Sequence, residues 1–561
     1  MAGMCRPIRP PHHLPPANEE VPCDPPRRER TAAPTVAAVT DLPNSSIRGT
    51  HHMVASADQL ASRAGDRIFD SGGNAVDAAI ATNAAISVTG PHMCGMGGDL
   101  FALIHTTDGV VALNSSGRSG SGANAAQLRA EGHTVMPFRH DIRAVTVPGC
   151  VDGWLALHAR FGSLTLAEIL APAIDLATNG FPASSLLAGS LRRLDPAGAA
   201  NLHELASQAH RTGALVKRPG VARALRSVIE LGRDGYYGGE FGAGLLALGA
   251  GHFDPSDLAM SQAEWVAPLT AHMFGVDVHT IGPNSQGYLT LGSGVLASGL
   301  DLPENPRDEK WAHLLIESSK VAGFDRPDVL HEAADGLGLL SRIGDRSHLI
   351  DTECASNLAS YVGPGDTTYL CTAQVGGLAV SLIQSNASGF GSWLAEPSTG
   401  INLHNRGLGF NLEEGHPGEF GPGRRPPHTL APALATRGGD LVAVFGTMGG
   451  DSQPQILLQI AARLLHHGQS PAAAINAPRW VLSRPTTGFD TWTTAGGPSV
   501  ELEGHAPAGW ISGLANRGHV VTTQPAYDGG FGHAHAIMLG DDGVLAGAAD
   551  PRARVSSVAA R

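Results

Sequence analysis

Cysteine is scarce: Cys5, Cys23, Cys94, Cys150, Cys354 and Cys371 are the only six in 561 positions. None forms a CxxC pair or sits in a Cys/His cluster at zinc spacing, which removes a disulfide scaffold and a structural zinc site from consideration. Charge is thin as well, at 16% Asp, Glu, Lys and Arg, and it leans acidic, with a formal net charge of −13. An acidic surface repels phosphate backbones, so nucleic acid is not an expected partner. No apolar run reaches the length of a transmembrane helix, so no membrane partner is expected. Pro7, Pro10, Pro11, Pro15 and Pro16 occupy the stretch where a secretory leader needs an apolar core. The expected location is therefore cytoplasmic. Familiar catalytic signatures are missing too: no GxSxG elbow, no HExxH and no Walker A sequence. The paired histidines at 12–13, 51–52 and 466–467 read as solvated positions, and neither a metal nor a cofactor is expected.

What the chain has in abundance is glycine, 72 residues, on an ordinary apolar content of 42%. This is the composition of a loop-rich globular enzyme large enough for a deep core. Residues 1–48 are Pro- and Arg-rich without periodicity and read as a disordered tail. Helical spacing runs from Ala55 to Phe69 and stops at Ser71-Gly72-Gly73. Asn74 then caps an alanine-rich helix over Ala75–Ser87. Asp99–His105 and Val110–Leu113 flank the turn Thr106-Thr-Asp-Gly109, a hairpin. Helical pattern returns at 153–180, 220–235 and 311–324. Residues 325–366 read as an irregular linker ending in Gly363-Pro-Gly-Asp366. Beyond it the texture turns β-rich: Thr367–Ala373, the turn Val375-Gly-Gly377 and Leu378–Gln384. Further strands are expected at Leu441–Phe445, 530–539 and 544–548, with a helix over Gln455–Leu465. Elements cluster rather than alternate, which predicts stacked α and β layers and not a Rossmann sheet.

One segment concentrates the chemistry: Gly365-Asp-Thr-Thr-Tyr-Leu-Cys371, two threonines opening a strand directly after the linker. On β-propensity alone they mean only a strand. Six blocks around and including them mean more. They are Gly72-Gly-Asn-Ala-Val-Asp-Ala-Ala79; Pro91-His-Met-Cys-Gly-Met-Gly-Gly98; Val147-Pro-Gly149 with Pro172-Ala173 and Gly180-Phe181; Asp366-Thr-Thr368 with Phe390-Gly-Ser392; Arg425-Pro-Pro-His-Thr-Leu-Ala-Pro432 with Gly449-Gly450; and Ala549-Asp-Pro-Arg552. In this order and spacing, from about 54 to 552, the chain resembles the γ-glutamyltransferase family of N-terminal-nucleophile hydrolases.

The resemblance implies an α+β fold, a four-layer αββα sandwich, and a precursor that cuts itself. The expected division is a tail over 1–48, a large-fragment region over 49–366 and a small-fragment region over 367–561. The two fragments would then be each other's partner. The scissile bond would be Asp366–Thr367 and the nucleophile Thr367. A new N-terminal threonine carries its own base: an α-amine with a pKa of about 7.7 to 8 is partly neutral near pH 7 and takes the hydroxyl proton. Thr368 is one register position off and would face the other side of the strand. Ser385 matches a hydroxyl residue near the amine. Gly449 and Gly450 match the glycine pair whose N–H groups form an oxyanion hole. Arg118 matches an arginine that binds the substrate carboxylate, and His428 and Thr429 fall where two serines usually face it.

The implied substrate is a small-molecule amide of γ-glutamyl type, glutathione-like, with acyl transfer to water or an amine. Three departures bear on that. Where the family supplies an amide and a carboxylate for the glutamyl ammonium, this chain has Arg406 and Gly409, and Ala387 displaces an asparagine that is now Asn386. The connection from Phe410 to Arg424 is short where a lid is common. No secretion leader of the kind many members carry is expected here. A cation beside an ammonium costs on the order of 1 to 4 kcal/mol. An inward Arg406 would therefore favour donors without an α-amine, such as glutaryl or oxamate-type amides. The remaining alternative is a catalytically silent, unprocessed binding protein on the same scaffold.

Overall fold

The computed structural model describes residues 45–358, 366–483 and 499–561. The tail over 1–44 and most of the Gly363–Asp366 stretch lie outside the described residues. The boundary drawn at 48 cuts through a strand, Ile47–Gly49, paired with 545–547.

The fold is α+β, built on two seven-stranded sheets whose neighbours all run antiparallel. One has the order Ile47–Gly49, Leu545–Ala549, Ala534–Leu539, Asp440–Thr447, Ala433–Arg437, Val276–Ile281, Pro268–Met273. The other has the order Ser557–Ala560, His52–Ser56, Asp366–Gln374, Ala379–Ala387, Asp99–Thr106, Gly109–Ser115, Glu264–Val266.

Strand alternation sorts the apolar side chains into different cores. Phe101 and Leu103 join Tyr369, Ile383, Leu434, Val444 and Ile537 in a cluster that draws on both sheets. Their neighbours Leu100, Ala102 and Ile104 turn the other way, with Leu370, Val380 and Leu382, onto helices that carry Ala79, Val151, Leu170 and Leu225. In the other sheet Ala433, Ala435, Ala443 and Phe445 pack with Leu291, Val321 and Ile456 from helices. The helix Ala75–Thr89 is buried at every position. Its alanines let it lie close to the sheet, and Asn74 closes a capping box with Asp77.

Local corrections have physical causes. Residues 52–56 are a buried strand, and the helix after them begins at Gln59 with Asp58 as its cap, because tertiary pairing outweighs helical spacing there. The helical stretch 153–180 is two helices, Cys150–Phe161 and Leu166–Asn179, split where Thr165 starts a new capping box. The 325–366 linker contains the helices Arg326–Val329 and Gly336–Gly344. The strands at 264–266, 268–273 and 276–281 add to the ends of the two sheets, the last two joined by a two-residue turn in which Phe274 and Gly275 both take positive φ.

Candidate active site

Thr367 sits at the start of the strand Asp366–Gln374, where pairing with Ala379–Ala387 slips between Asp366 and Thr368. By strand parity Thr367 shares the inter-sheet side with Tyr369, and Ser385 shares it with Ile383. Thr367 is buried, and its Oγ1 donates to Ser385 Oγ at 3.1 Å. Thr368 has no such contact; its buried hydroxyl finds no partner among the described residues.

Ser385 Oγ is also an acceptor for two donors: the Ala387 amide at 2.8 Å and Arg406 Nη2 at 3.0 Å. Arg406 points inward. Its guanidinium is buried, and Nη1 donates to Thr429 Oγ1 at 2.9 Å. Burial pulls its pKa down to about 10, with Asp99 and Asp451 opposing, so it remains a cation at neutral pH. Gly409, three residues on, has its Cα against the Pro427 carbonyl: an added Cβ would lie 2.2 Å from that oxygen. A side chain there requires the Arg425–Pro432 loop to move.

Asp99 was not foreseen as part of this arrangement. It stands opposite Ser385 in the strand register. Its Oδ1 accepts the Gly117 amide at 2.9 Å and its Oδ2 lies 3.1 Å from His428 Nε2. Burial alone would raise the Asp99 pKa, but His404, His428 and Arg406 outweigh it and hold the carboxylate at about 2. His428 Nδ1 accepts the Leu430 amide, which leaves Nε2–H to donate to Asp99. Burial, reinforced by Arg406, drops His428 to about 3, so the ring is neutral. His428 is thus an anchoring group for its loop, held on Asp99, while its neighbour Thr429 meets Arg406.

Gly449 and Gly450 follow the strand Asp440–Thr447 at a turn that needs them: Gly449 has φ +146° and Gly450 φ +55°. Ser452 ties the turn by donating its hydroxyl and amide to the Gly449 carbonyl at 2.6 and 3.0 Å. Gln286, also unforeseen, bridges the two halves of the site, its amide donating to the carbonyls of Thr429 at 2.9 Å and Gly450 at 3.0 Å. The Met448 amide donates to the His533 carbonyl at 3.1 Å. Residues 531 and 532 are held in turn by Arg479, which also pairs with Asp550 of the Asp550-Pro-Arg552 block at 2.7 Å.

Arg118 is not brought to this cluster. Its guanidinium lies 3.6 Å from Glu264, beside Arg425, and its side chain is 24% exposed. None of its contacts is with Thr367, Ser385, Arg406 or Thr429. Asp366 is placed only by its backbone, opposite Ala387. The short Phe410–Arg424 connection is pinned rather than loose: Phe410, Leu412 and Phe420 are buried with Leu128 and Met136, and Arg129 pairs with Glu419 at 2.8 Å.

A cavity of about 560 Å³ opens beside these groups, bordered by Met93, Ser388, Gly389, Met448 and Gly449. Among the described residues, one cluster has metal-like spacing, His313, Glu317 and His519. A cation already sits on it, since Lys320 Nζ donates to Glu317 at 2.8 Å.

The gamma-glutamyltranspeptidase family profile matches residues 61–560. The glutathione hydrolase-like YwrD proenzyme of Bacillus subtilis (strain 168) is 36% identical over 538 residues, covering 91% of this chain and 98% of that protein. The oxamate amidohydrolase proenzyme of Klebsiella pneumoniae subsp. pneumoniae is 33% identical over 530 residues, covering 91% and 98%. The crystal structure of cephalosporin acylase from Bacillus halodurans superposes with a TM-score of 0.84 at 31% identity, over 95% of this chain and 99% of that one.

Proposed function

Because the chain belongs to the gamma-glutamyltranspeptidase family, and is an enzyme of the N-terminal-nucleophile hydrolase type, we propose that it is an autoprocessing amidohydrolase in which Thr367 attacks donors without an α-ammonium. The three apolar cores fit the four-layer αββα sandwich of such hydrolases. Cleavage of Asp366–Thr367 would free an amine on the residue that carries the nucleophilic hydroxyl. That amine takes the Thr367 Oγ1 proton, and Oγ1 attacks the amide carbon. The oxyanion is received by the N–H groups of Gly449 and Gly450, neither of which donates elsewhere among the described residues. The amine leaving group carries the proton away, and water then cleaves the Thr367 ester. The proenzyme names of the Bacillus and Klebsiella relatives support the processing step.

The observation that carries the substrate reading is Arg406, one hydroxyl away from Thr367 through Ser385. A buried cation there repels an ammonium and attracts a carboxylate or a carbonyl. The names oxamate amidohydrolase and cephalosporin acylase, borne by relatives, agree with acyl groups that lack the amine. The test compares γ-glutamyl with glutaryl amides of one amine, which differ only by the amino group. The expected ratio of kcat/KM is near one or favours glutaryl. A strong γ-glutamyl preference would return the enzyme to glutathione-like donors.

A further inference from the structure

A buried ion pair ties the turn at Gly449-Gly450 to the part of the chain that precedes Thr367. Arg326 opens the short helix Arg326–Val329, and Asp451 follows Gly450 directly. Arg326 Nη2 lies 2.9 Å from Asp451 Oδ1, with the two side chains 2% and 1% exposed. A charge this deep needs a counter-charge close by, and here each residue supplies it to the other. A void of about 20 Å³ adjoins the pair, lined by Ser293, Ser319, Arg326, Asp451 and Gln455.

The pair completes the bracing of the turn. The Gly449 carbonyl, which shares a peptide plane with the Gly450 N–H, is held by the Ser452 hydroxyl and amide. The Gly450 carbonyl is held by Gln286. The next residue, where the chain bends toward the helix Gln453–Ala461, is held through its side chain by Arg326. Gly450, at φ +55°, has no Cβ to resist rotation, so its neighbours set the direction of its N–H. A displacement of about 1 Å in such a group costs on the order of a hundredfold in rate.

Charge adds a second reason. Asp451 puts a carboxylate one residue from the amide proposed to receive the oxyanion, and like charges in a buried site repel. Arg406, the other cation acting on Asp451, is committed to Ser385 and Thr429. Arg326 is the cation committed to Asp451.

We propose that Arg326 is a positioning residue for amide cleavage: through its ion pair with Asp451 it sets the turn that carries the Gly449 and Gly450 amides, and it offsets the Asp451 charge as the oxyanion forms. This role rests on the reading above, in which Thr367 attacks and the glycine pair receives the oxyanion. The test is turnover of glutaryl 4-nitroanilide, with rates counted per molecule whose small fragment begins at Thr367. Arg326→Ala and Asp451→Asn are each expected to lower kcat roughly tenfold or more, with KM changed by less than about twofold. The double variant is expected to be no slower than the poorer single one, because both substitutions break one link. Arg326→Lys should recover part of the loss. Guanidinium chloride should restore kcat of Arg326→Ala saturably, by filling the space beside the void, and sodium chloride of equal concentration should not. Where Arg326→Ala fails to fold, Asp451→Asn, nearly unchanged in volume, carries the same expectation. Wild-type kcat in Asp451→Asn, a change confined to KM, or losses that multiply in the double variant each overturn the proposal. Failure of Asp451→Asn to process at all overturns it too, since the role assigned is in turnover. Turnover by Thr367→Ala equal to wild type would instead sink the nucleophile reading, whatever the Arg326 variants do.

Discussion

Arg406 Nη2 donates to Ser385 Oγ at 3.0 Å, and that same hydroxyl oxygen accepts the Thr367 hydroxyl. A cation is thereby coupled to the proposed nucleophile through one intervening oxygen. Hydrogen bonds from charged donors contribute about 1.5–3 kcal/mol each. Arg406→Leu is expected to lower kcat/KM on glutaryl amides by at least tenfold. Arg118→Ala, which removes a half-buried side chain facing Glu264, is expected to change KM much less. Kinetics of the two variants on one donor decide between the two arginines; a larger KM effect at Arg118 would reverse the assignment.

The purified protein is expected to resolve into two bands under denaturing conditions, the smaller beginning at Thr367. Thr367→Ala should remain one band and be inactive, and Thr367→Ser should process more slowly. N-terminal sequencing reads the outcome. A fragment starting at Thr368, or an unprocessed chain with full activity, is incompatible with the proposed nucleophile.

Much of this site was legible because it depends on local requirements. A threonine after a Gly/Pro linker, a glycine pair that needs positive φ, and a helix-capping asparagine each leave a mark on a few adjacent residues. Arg406 was legible as a departure that left its orientation open, and the fold turns it inward onto Ser385 and Thr429. Asp99 and Gln286 were not legible, since each acts across more than 140 residues of chain and neither breaks a local pattern. The wall of the 560 Å³ cavity is scattered likewise over positions from 92 to 554, and only folding collects it. The linker at 325–366 read as irregular because two of its helix-breaking residues stand at helix starts, Pro327 near the start of one helix and Gly336 opening another.

Asp99→Leu is expected to destabilise the protein more than Asp99→Asn. The leucine leaves the Gly117 amide and His428 Nε2–H, both buried, without an acceptor, at about 1.5–3 kcal/mol for each bond to the charged group. Asparagine keeps an oxygen in place. Thermal denaturation of both variants is the measurement, and equal melting temperatures would show that Asp99 does not hold the 428–430 loop.

Stability is expected to fall steeply on acidification, and the sign follows from the histidines. His92, His428 and His535 are held near pKa 3 and His533 near 4, in each case first by burial. In the unfolded chain each titrates near 6.5. Between about pH 6.5 and 4 the unfolded state therefore binds protons that the native state refuses, and stability rises with pH across that window. It is fully present above about 6.5 and is lost as the pH drops toward the folded values. Asp99 adds to the loss only below about pH 4, because its pKa is held at about 2 against an unfolded value near 3.9. Each group contributes up to about 1.4 kcal/mol per pH unit within its window. Melting temperature measured from pH 8 to pH 4 should be flat above 7 and drop sharply below 6. A flat profile down to pH 4.5 would mean these rings are protonated in the native state, and His428 could then not sit neutral between Arg406 and Asp99.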